Sequence, residues 1–191
     1  RRGALVTISL GVDPGVEGYL CVVDSQRQET PRFWSMPVHD GERAGEGDDL
    51  DSKAVLVLLQ EIGPSIDIFV MEAQQGFPGI GPRCVACHKP KVMQGVASTF
   101  KTGRNFGVIE GIALALHLPL VVVKPQEWKP VWGLTSDKAM SVAKATFLAP
   151  KVDFRPFERK PKSRVPDHNK CEAYILAKHG LRLLKGSEVT K

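Results

Sequence analysis

No stretch of this chain is long and apolar enough to span a bilayer, so a transmembrane helix is excluded. Cysteine is sparse: four residues in 191, irregularly spaced, do not make the disulfide framework of a secreted scaffold, and reducing surroundings are the expectation. Repeats and low-complexity tracts are missing too, and with 42% hydrophobic residues the chain suits one compact domain over 1–191. No second CxxC accompanies Cys84-Val-Ala-Cys87-His88, so that segment lacks a fourth zinc ligand, and nothing offers an axial partner for haem. It reads as a reducible thiol pair or an inert loop, dispensable for function. A second Asp-x-Gly phosphate loop is also missing, and Glu17 stands where a sugar kinase or actin-like ATPase carries hydroxyls, which argues against that class. No Met precedes Arg1, so an upstream segment, with any targeting peptide, is expected to have been trimmed.

What the chain does have is charge in separate places. The formal net charge is +5 with a pI near 9.1, which permits a nucleic-acid partner without requiring one. Acids gather at Asp40, Glu42, Glu46, Asp48, Asp49 and Asp51, and bases at Lys151, Arg155, Arg159, Lys160, Lys162 and Arg164. A basic run suits a polyanion, although such a run alone is as often a solvated loop.

Four carboxylates stand at the ends of apolar runs or near them: Asp13 in Leu10-Gly-Val-Asp-Pro-Gly15, Glu72 in Ile68-Phe-Val-Met-Glu72, and Asp167 with Glu172 in Pro166-Asp-His-Asn-Lys-Cys-Glu172. A strand tip is rigid enough to hold an acid to the tolerance of metal-assisted phosphoryl chemistry. A lone Asp before Pro-Gly is more often a turn former. Glu72, closing an otherwise apolar strand, has no such structural task.

The pattern predicts strands over 6–12, 18–24 and 31–37 joined as a meander, then an acidic loop over 38–50. Asp51-Ser52 caps a helix with Val55, Leu58, Leu59 and Ile62 on its apolar face, ended by Gly63-Pro64. A buried strand follows at 66–72, a Gly/Pro-rich excursion at 73–92, an apolar helix at 109–118 that is buried or faces a second copy, and a fifth strand at 120–123. Helices at 137–148 and 167–184 close an α/β domain built on a mixed sheet. Asp13, Glu72 and the start of the last helix can then meet in one site.

These residues resemble RuvC-type Holliday junction resolvases of the ribonuclease H-like fold, in their plant and algal chloroplast branch. Gly11-Val-Asp-Pro-Gly15 with Gly18-Tyr19 is similar to the family's first-strand motif, and Val70-Met-Glu72 to its second acidic strand. The run from Ser98 to Gly107 into Ile109-Glu-Gly111 resembles its junction-reading helix pair. The stretch from Lys124 to Lys129 with Asp137-Lys138 resembles the segment after the fifth strand, and Asp167-His168 with Glu172-Ala173 the closing motif. Two features depart from the family: Asn169 stands where bacterial members carry an acid or a His, and the Cys84–His88 insertion has no counterpart in it.

The resemblance implies a five-stranded mixed sheet flanked by helices and a homodimeric, Mg²⁺-dependent endonuclease, with Mn²⁺ as a substitute, that nicks opposing strands of a four-way DNA junction. It implies a chloroplast nucleoid location. It puts Asp13, Glu72, Asp167, His168 and Glu172 in the metal site, with Lys138 beside them. Lys138 can steady developing charge, and a lone Lys at a helix start is more often only solvated. Ser98, Phe100, Lys101, Arg104, Asn105, Phe106 and Lys129, with Arg159, Lys160, Lys162 and Arg164, are the expected DNA contacts. Phe100 and Phe106 flank cations and an amide, a mix that holds phosphates and stacks on an unpaired base, although two Phe near a helix are usually core. In the closing motif, His168 and Glu172 stand four apart and share a helix face, while Asp167 points about 140° away and can instead cap the helix. A non-catalytic, structure-selective DNA-binding protein on the same fold is the alternative, and Mg²⁺-dependent junction cleavage separates the two.

Overall fold

The computed structural model describes residues 6–39, 49–74 and 95–188. Its sheet has five strands in the order β3-β2-β1-β6-β7. Strands β1 (Ile8–Val12), β2 (Tyr19–Asp24) and β3 (Arg32–Ser35) form the expected antiparallel meander. Strand β6 (Ile68–Glu72) runs parallel to β1, and β7 (Leu120–Val123) parallel to β6. The sheet is thus mixed and flanked by helices on both faces, a ribonuclease H-like α/β fold. The stretch expected as a loop over 38–50 begins and ends in strand: β4 (Val38–His39) pairs with β5 (Asp49–Leu50), and residues 40–48 between them lie outside the described residues. Cys84, Cys87 and His88 lie outside them as well.

Alternation along β2 splits the core. Tyr19, Cys21 and Val23 face one side of the sheet, and Leu20 and Val22 the other. On the second side lie α1 (Ser52–Ile62), where Asp51 accepts from the N–H groups of Lys53 and Ala54, and α2 (Val96–Ala115). Helix α2 is a correction: the run from Ser98 to Gly111, which resembles a helix pair, and the apolar helix expected over 109–118 belong to one continuous helix of 20 residues. Gly103, Gly107 and Gly111 cost it propensity, about 1 kcal/mol each relative to Ala, but packing of Ile109 and Ala113 on the sheet holds it.

On the first side α5 (His168–Glu188) lies on the sheet and α4 (Lys138–Leu148) packs outside it, so α5 is buried almost all round from Lys170 to Leu181. The close approach of α5 to β1 depends on two glycines. A Cβ on Gly11 would run into the α5 backbone at Ala173 and Ala177, and one on Gly180 would strike the Ser9 hydroxyl. Any side chain at Gly11 therefore lifts the helix that carries Glu172 away from the strand that leads to Asp13. The connection before α5 is fastened by a buried cation. Lys170 bonds to Glu158 at 3.0 Å and to the Arg155 carbonyl at 3.1 Å, lying over Phe33 and Tyr19.

After β7 the chain makes two tight turns that the sequence did not announce. Helix α3 (Pro125–Trp128) starts on Pro125, and a 3-10 turn (Pro130–Trp132) ends on Gly133 in the left-handed region, φ 68°. These turns carry Trp128 and Lys129 over the carboxyl ends of β6 and β7.

Candidate functional site

Strands β1 and β6 are parallel neighbours in the register Val12 to Met71, so the next residues, Asp13 and Glu72, emerge side by side at the same end of the sheet. In parallel sheets that end is where ligands are held, because the chain leaves the strands there and frees their tips. The Asp13 turn is tight: its N–H donates to the Tyr19 carbonyl at 3.1 Å, and Gly18 N–H to the Gly15 carbonyl at 2.7 Å. A Cβ on Gly18 would overlap the Asp13 carbonyl, so glycine is required there.

Glu172, in the second turn of α5, completes the group. The Lys129 ammonium lies 3.0 and 3.2 Å from the two Glu172 oxygens and 3.8 Å from Glu72 Oε2. Ser141 Oγ donates to Glu172 Oε1 at 2.7 Å, and the buried Trp128 indole N–H to Glu72 Oε2 at 2.8 Å. Both carboxylates are thus aimed by neutral donors, which fixes their rotamers. Asp13 receives one long bond, from Gly15 N–H at 3.4 Å.

Crowding shows in the acidities. Burial first, then the charges of Glu72 and Glu172, push the Asp13 carboxyl up from 3.8 to about 7. Burial also raises Glu72, against the pull of Lys129. Three carboxylates thus face one ammonium, an excess of negative charge in a partly dry place.

Among the described residues no group of three His, Cys, Asp or Glu side chains stands in a metal-holding arrangement. It is the Lys129 ammonium that bridges Glu72 and Glu172. The donor chemistry nonetheless suits a hard divalent cation: all its atoms are carboxylate oxygens, and Asp13, raised first by burial and then by the charges of Glu72 and Glu172, is a carboxylate that a cation would help to ionise.

The rest of the closing motif divides. Asp167 is the N-cap of α5, its Oδ1 accepting from Asn169 N–H at 2.8 Å while its carbonyl accepts from Cys171 N–H at 3.0 Å. His168 shares the α5 face with Glu172. Burial and then Lys138 hold its imidazole below 6.5, against the pull of Asp167 and Glu172, so it is neutral at pH 7. Lys138 is the exposed first residue of α4, and its charge reaches His168. Replacing Asp167 with Ala should cost about 0.5–2 kcal/mol of stability through the lost cap. Thermal melting read beside turnover separates this from a site role, since a capping residue alone lowers the melting temperature and leaves the rate per folded molecule unchanged.

The expected DNA contacts also divide. On α2, Phe100 is 74% exposed and Val96 89%, beside Ser98 and Lys101. Asn105 is buried and Phe106 packs against the core, so of the two rings only Phe100 is presented outward. Arg104 pairs with Asp49 at 2.8 Å. In the basic run, the Arg159 guanidinium is engaged by the carbonyls of Gly18 (2.8 Å) and Met36 (3.3 Å) and lies over the Tyr19 ring, which makes it a clamp on the Asp13 turn. Lys160 pairs loosely with Glu17 at 3.7 Å, and Lys162 and Arg164 are exposed.

Three residues gained a place that sequence reading did not give them. Lys129, grouped with the DNA contacts, sits among the carboxylates, Trp128 aims Glu72, and Ser141 aims Glu172. The usable signal was position: Trp128 and Lys129 follow directly on the strand next to Glu72.

No family model matches the chain, and no curated protein matches it. Among solved structures it is similar to Thermus thermophilus RuvC in complex with a Holliday junction substrate, at 12% identity and a TM-score of 0.55 over 94% of this chain and 96% of that one. It is also similar to a second Thermus thermophilus RuvC structure, at 13% identity and a TM-score of 0.50 over 94% and 97%. At these identities what is shared is the fold: the chain has a RuvC-like arrangement of sheet and helices from one end of the match to the other.

Proposed function

We propose that this protein is a divalent-metal-dependent endonuclease that nicks four-way DNA junctions as a homodimer. One observation carries the reading: Asp13, Glu72 and Glu172 arrive from two parallel strands and the helix across them at the same end of the sheet, near enough for the charges of Glu72 and Glu172 to act on Asp13, on a RuvC-like fold. Mg²⁺, or Mn²⁺ in its stead, would be held by those three carboxylates and would supply charge stabilisation for the attacking and departing oxygens of a phosphodiester. Ser141 and Trp128 keep Glu172 and Glu72 aimed. Lys129 offers N–H donors to a phosphate oxygen brought to the cluster, and His168, neutral at pH 7, can accept a proton beside Glu172. The chloroplast location implied by the closing motif belongs to the same proposal.

DNA would meet the site from two sides. Phe100, projecting from the first turns of α2 beside Lys101, suits an unstacked base at a junction centre. Lys160, Lys162 and Arg164 suit the phosphates of an arm. Each of these three replaced by Ala should lower the slope of log K against log salt by about 0.9 and weaken binding for every sequence alike. An unchanged slope in the triple variant would make the run a solvated loop.

The farther half of α2 suits a second copy. Gly107, Gly111 and Leu114 lie along one exposed stripe, and Val121 and Val122 of the edge strand β7 are exposed as well. The open glycines let another helix come close. Sedimentation should show a dimer for the parent and a monomer for Gly107→Arg with the fold intact by circular dichroism.

One observation favours the non-catalytic reading, namely that Lys129 already neutralises part of the cluster. Incubating a synthetic four-way junction with the protein and Mg²⁺ decides: paired symmetric nicks support the nuclease, and tight binding without nicks leaves a structure-selective DNA-binding protein.

A further inference from the structure

Helix α5 carries a buried histidine with no part in the proposed chemistry. His179 is 6% exposed, and its Nδ1 accepts from the indole N–H of Trp132 at 3.3 Å. An indole N–H can only donate, so Nδ1 carries the lone pair and the ring proton sits on Nε2. Burial, and then the charge of Arg182, hold the imidazole below 6.5, so at pH 7 it is neutral and has that acceptor to offer. A buried polar side chain costs stability unless it is partnered, and an apolar residue would fill the same space without that cost. The bond therefore has a use beyond packing.

Its position supplies the use. Glu172 and His179 are two turns apart on α5, about 10.5 Å along the axis and on the same face. The residues that bond to them, Lys129 and Trp132, are the two ends of one 3-10 turn. Lys129 is its N-cap, and the Lys129 carbonyl accepts from the N–H groups of Trp132 at 3.1 Å and Leu134 at 2.9 Å. Side chains three apart in such a turn project the same way, here towards α5. Pro130 opens the turn with its φ fixed by the ring, so a displacement at one end is passed to the other. Trp128, just before Lys129, is anchored in the same manner, its indole donating to Glu72. The ammonium thus stands between two indole anchors, one on strand β6 and one on helix α5, and these hold in place a stem that is flexible by itself.

We infer that His179 is a positioning residue for the carboxylate cluster: by holding the Trp132 indole it fixes the turn, and through the turn the Lys129 ammonium, between Glu72 and Glu172. Its effect on rate rests on the nuclease reading of those carboxylates, and its effect on Lys129 does not. The bond is a latch outside the cluster that keeps the cluster's one cation in register.

The test uses the parent, His179→Leu, Trp132→Phe, the double variant, and His179→Asn, whose carboxamide oxygen offers an acceptor one bond beyond Cγ, as Nδ1 does. Single-turnover cleavage of a four-way junction is measured in Mg²⁺ and junction affinity in Ca²⁺. The proton-nitrogen signal of the Lys129 ammonium is followed in metal-free, nitrogen-labelled protein and assigned by its loss in Lys129→Arg. His179→Leu and Trp132→Phe should each cut about tenfold more slowly, with junction affinity within about twofold of the parent. The double variant should be no slower than the slower single one, since both changes break the same bond. His179→Asn should cut within about threefold of the parent. The ammonium signal should be present in the parent and His179→Asn and be lost to solvent exchange in His179→Leu and Trp132→Phe. Trp132→Phe keeps an aromatic ring in the packing, so it carries the test if His179→Leu does not fold. A His179→Asn protein as slow as His179→Leu, a signal that survives Trp132→Phe, or losses that add in the double variant would each overturn the latch and leave His179 a packing residue, while the nuclease stands. A parent with no ammonium signal overturns it too. A parent that binds junctions without cutting them removes the nuclease reading instead, and the ammonium signals alone then decide the latch.

Discussion

Asp13→Asn and Glu72→Gln are expected to bind a four-way junction at least as tightly as the parent and to cut it at least about 10³-fold more slowly. The two effects have one cause. Both side chains belong to a buried cluster whose negative charge exceeds that of Lys129, the cation that bridges Glu72 and Glu172, so an incoming phosphate is repelled by the very groups that would hold a divalent cation for it. Neutralising one of them lessens repulsion in the bound state and removes a hard oxygen donor from the reacting state. A Glu72→Gln protein keeps a carbonyl oxygen to accept the Trp128 N–H, so a loss of rate there reflects lost charge and not lost packing. Single-turnover cleavage beside gel-shift affinity reads both quantities. Nicking retained in Mg²⁺ by either variant would remove the assignment, and affinity lost in step with rate would make the carboxylates structural.

Lys129→Met should lose about 3–5 kcal/mol of stability at pH 8 in the presence of chelator, because Glu72 and Glu172 are left buried without the counter-charge they touch. For a chain of this length that is a fall of about 10 °C in melting temperature. The deficit should shrink towards pH 5. Asp13, raised to about 7 from 3.8, binds its proton more tightly folded than unfolded. Its contribution therefore favours the fold most fully below pH 3.8 and is lost as pH rises through about 7, a difference on the order of 4 kcal/mol across that window. A cluster already holding protons needs less from Lys129, so parent and variant converge in mild acid. Mg²⁺ should restore the parent more at pH 8 than at pH 5, since cation and proton relieve the same crowding. A deficit equal at pH 5 and pH 8 would reduce Lys129 to a packing residue.

How much of this was legible beforehand depends on how local the cause is. The strands β1, β2 and β6 are apolar runs bounded by turn residues, and α1 has its Asp51 cap and Gly63-Pro64 stop, so each could be read from neighbours in the chain. The two-residue strands β4 and β5 could not, because so short a pair exists only through its partner. The length of helix α2 was hidden because the resemblance implied a pair and three glycines lower its propensity, while the sheet beneath supplies the packing that propensity lacks. The Asp167 cap was open in the sequence as one of two alternatives, and the bond to Asn169 N–H is what the structure adds.

The sequence by itself determined that acids would stand at strand tips and at a helix start, because periodicity and turn chemistry are properties of adjacent residues. Only the tertiary structure decided which of them meet. Parallel register sets Asp13 beside Glu72, the glycine contact lowers α5 until Glu172 joins them, and the turns after β7 swing Lys129 into their midst. Lys129 and Glu172 are 43 residues apart, and Arg159 reaches back 141 residues to the Gly18 carbonyl. No local pattern encodes contacts of that range, since they follow from how the sheet and helices pack, and so a lysine expected to touch DNA became the counter-charge of the acidic cluster and an arginine of the basic run became the clamp on its first turn.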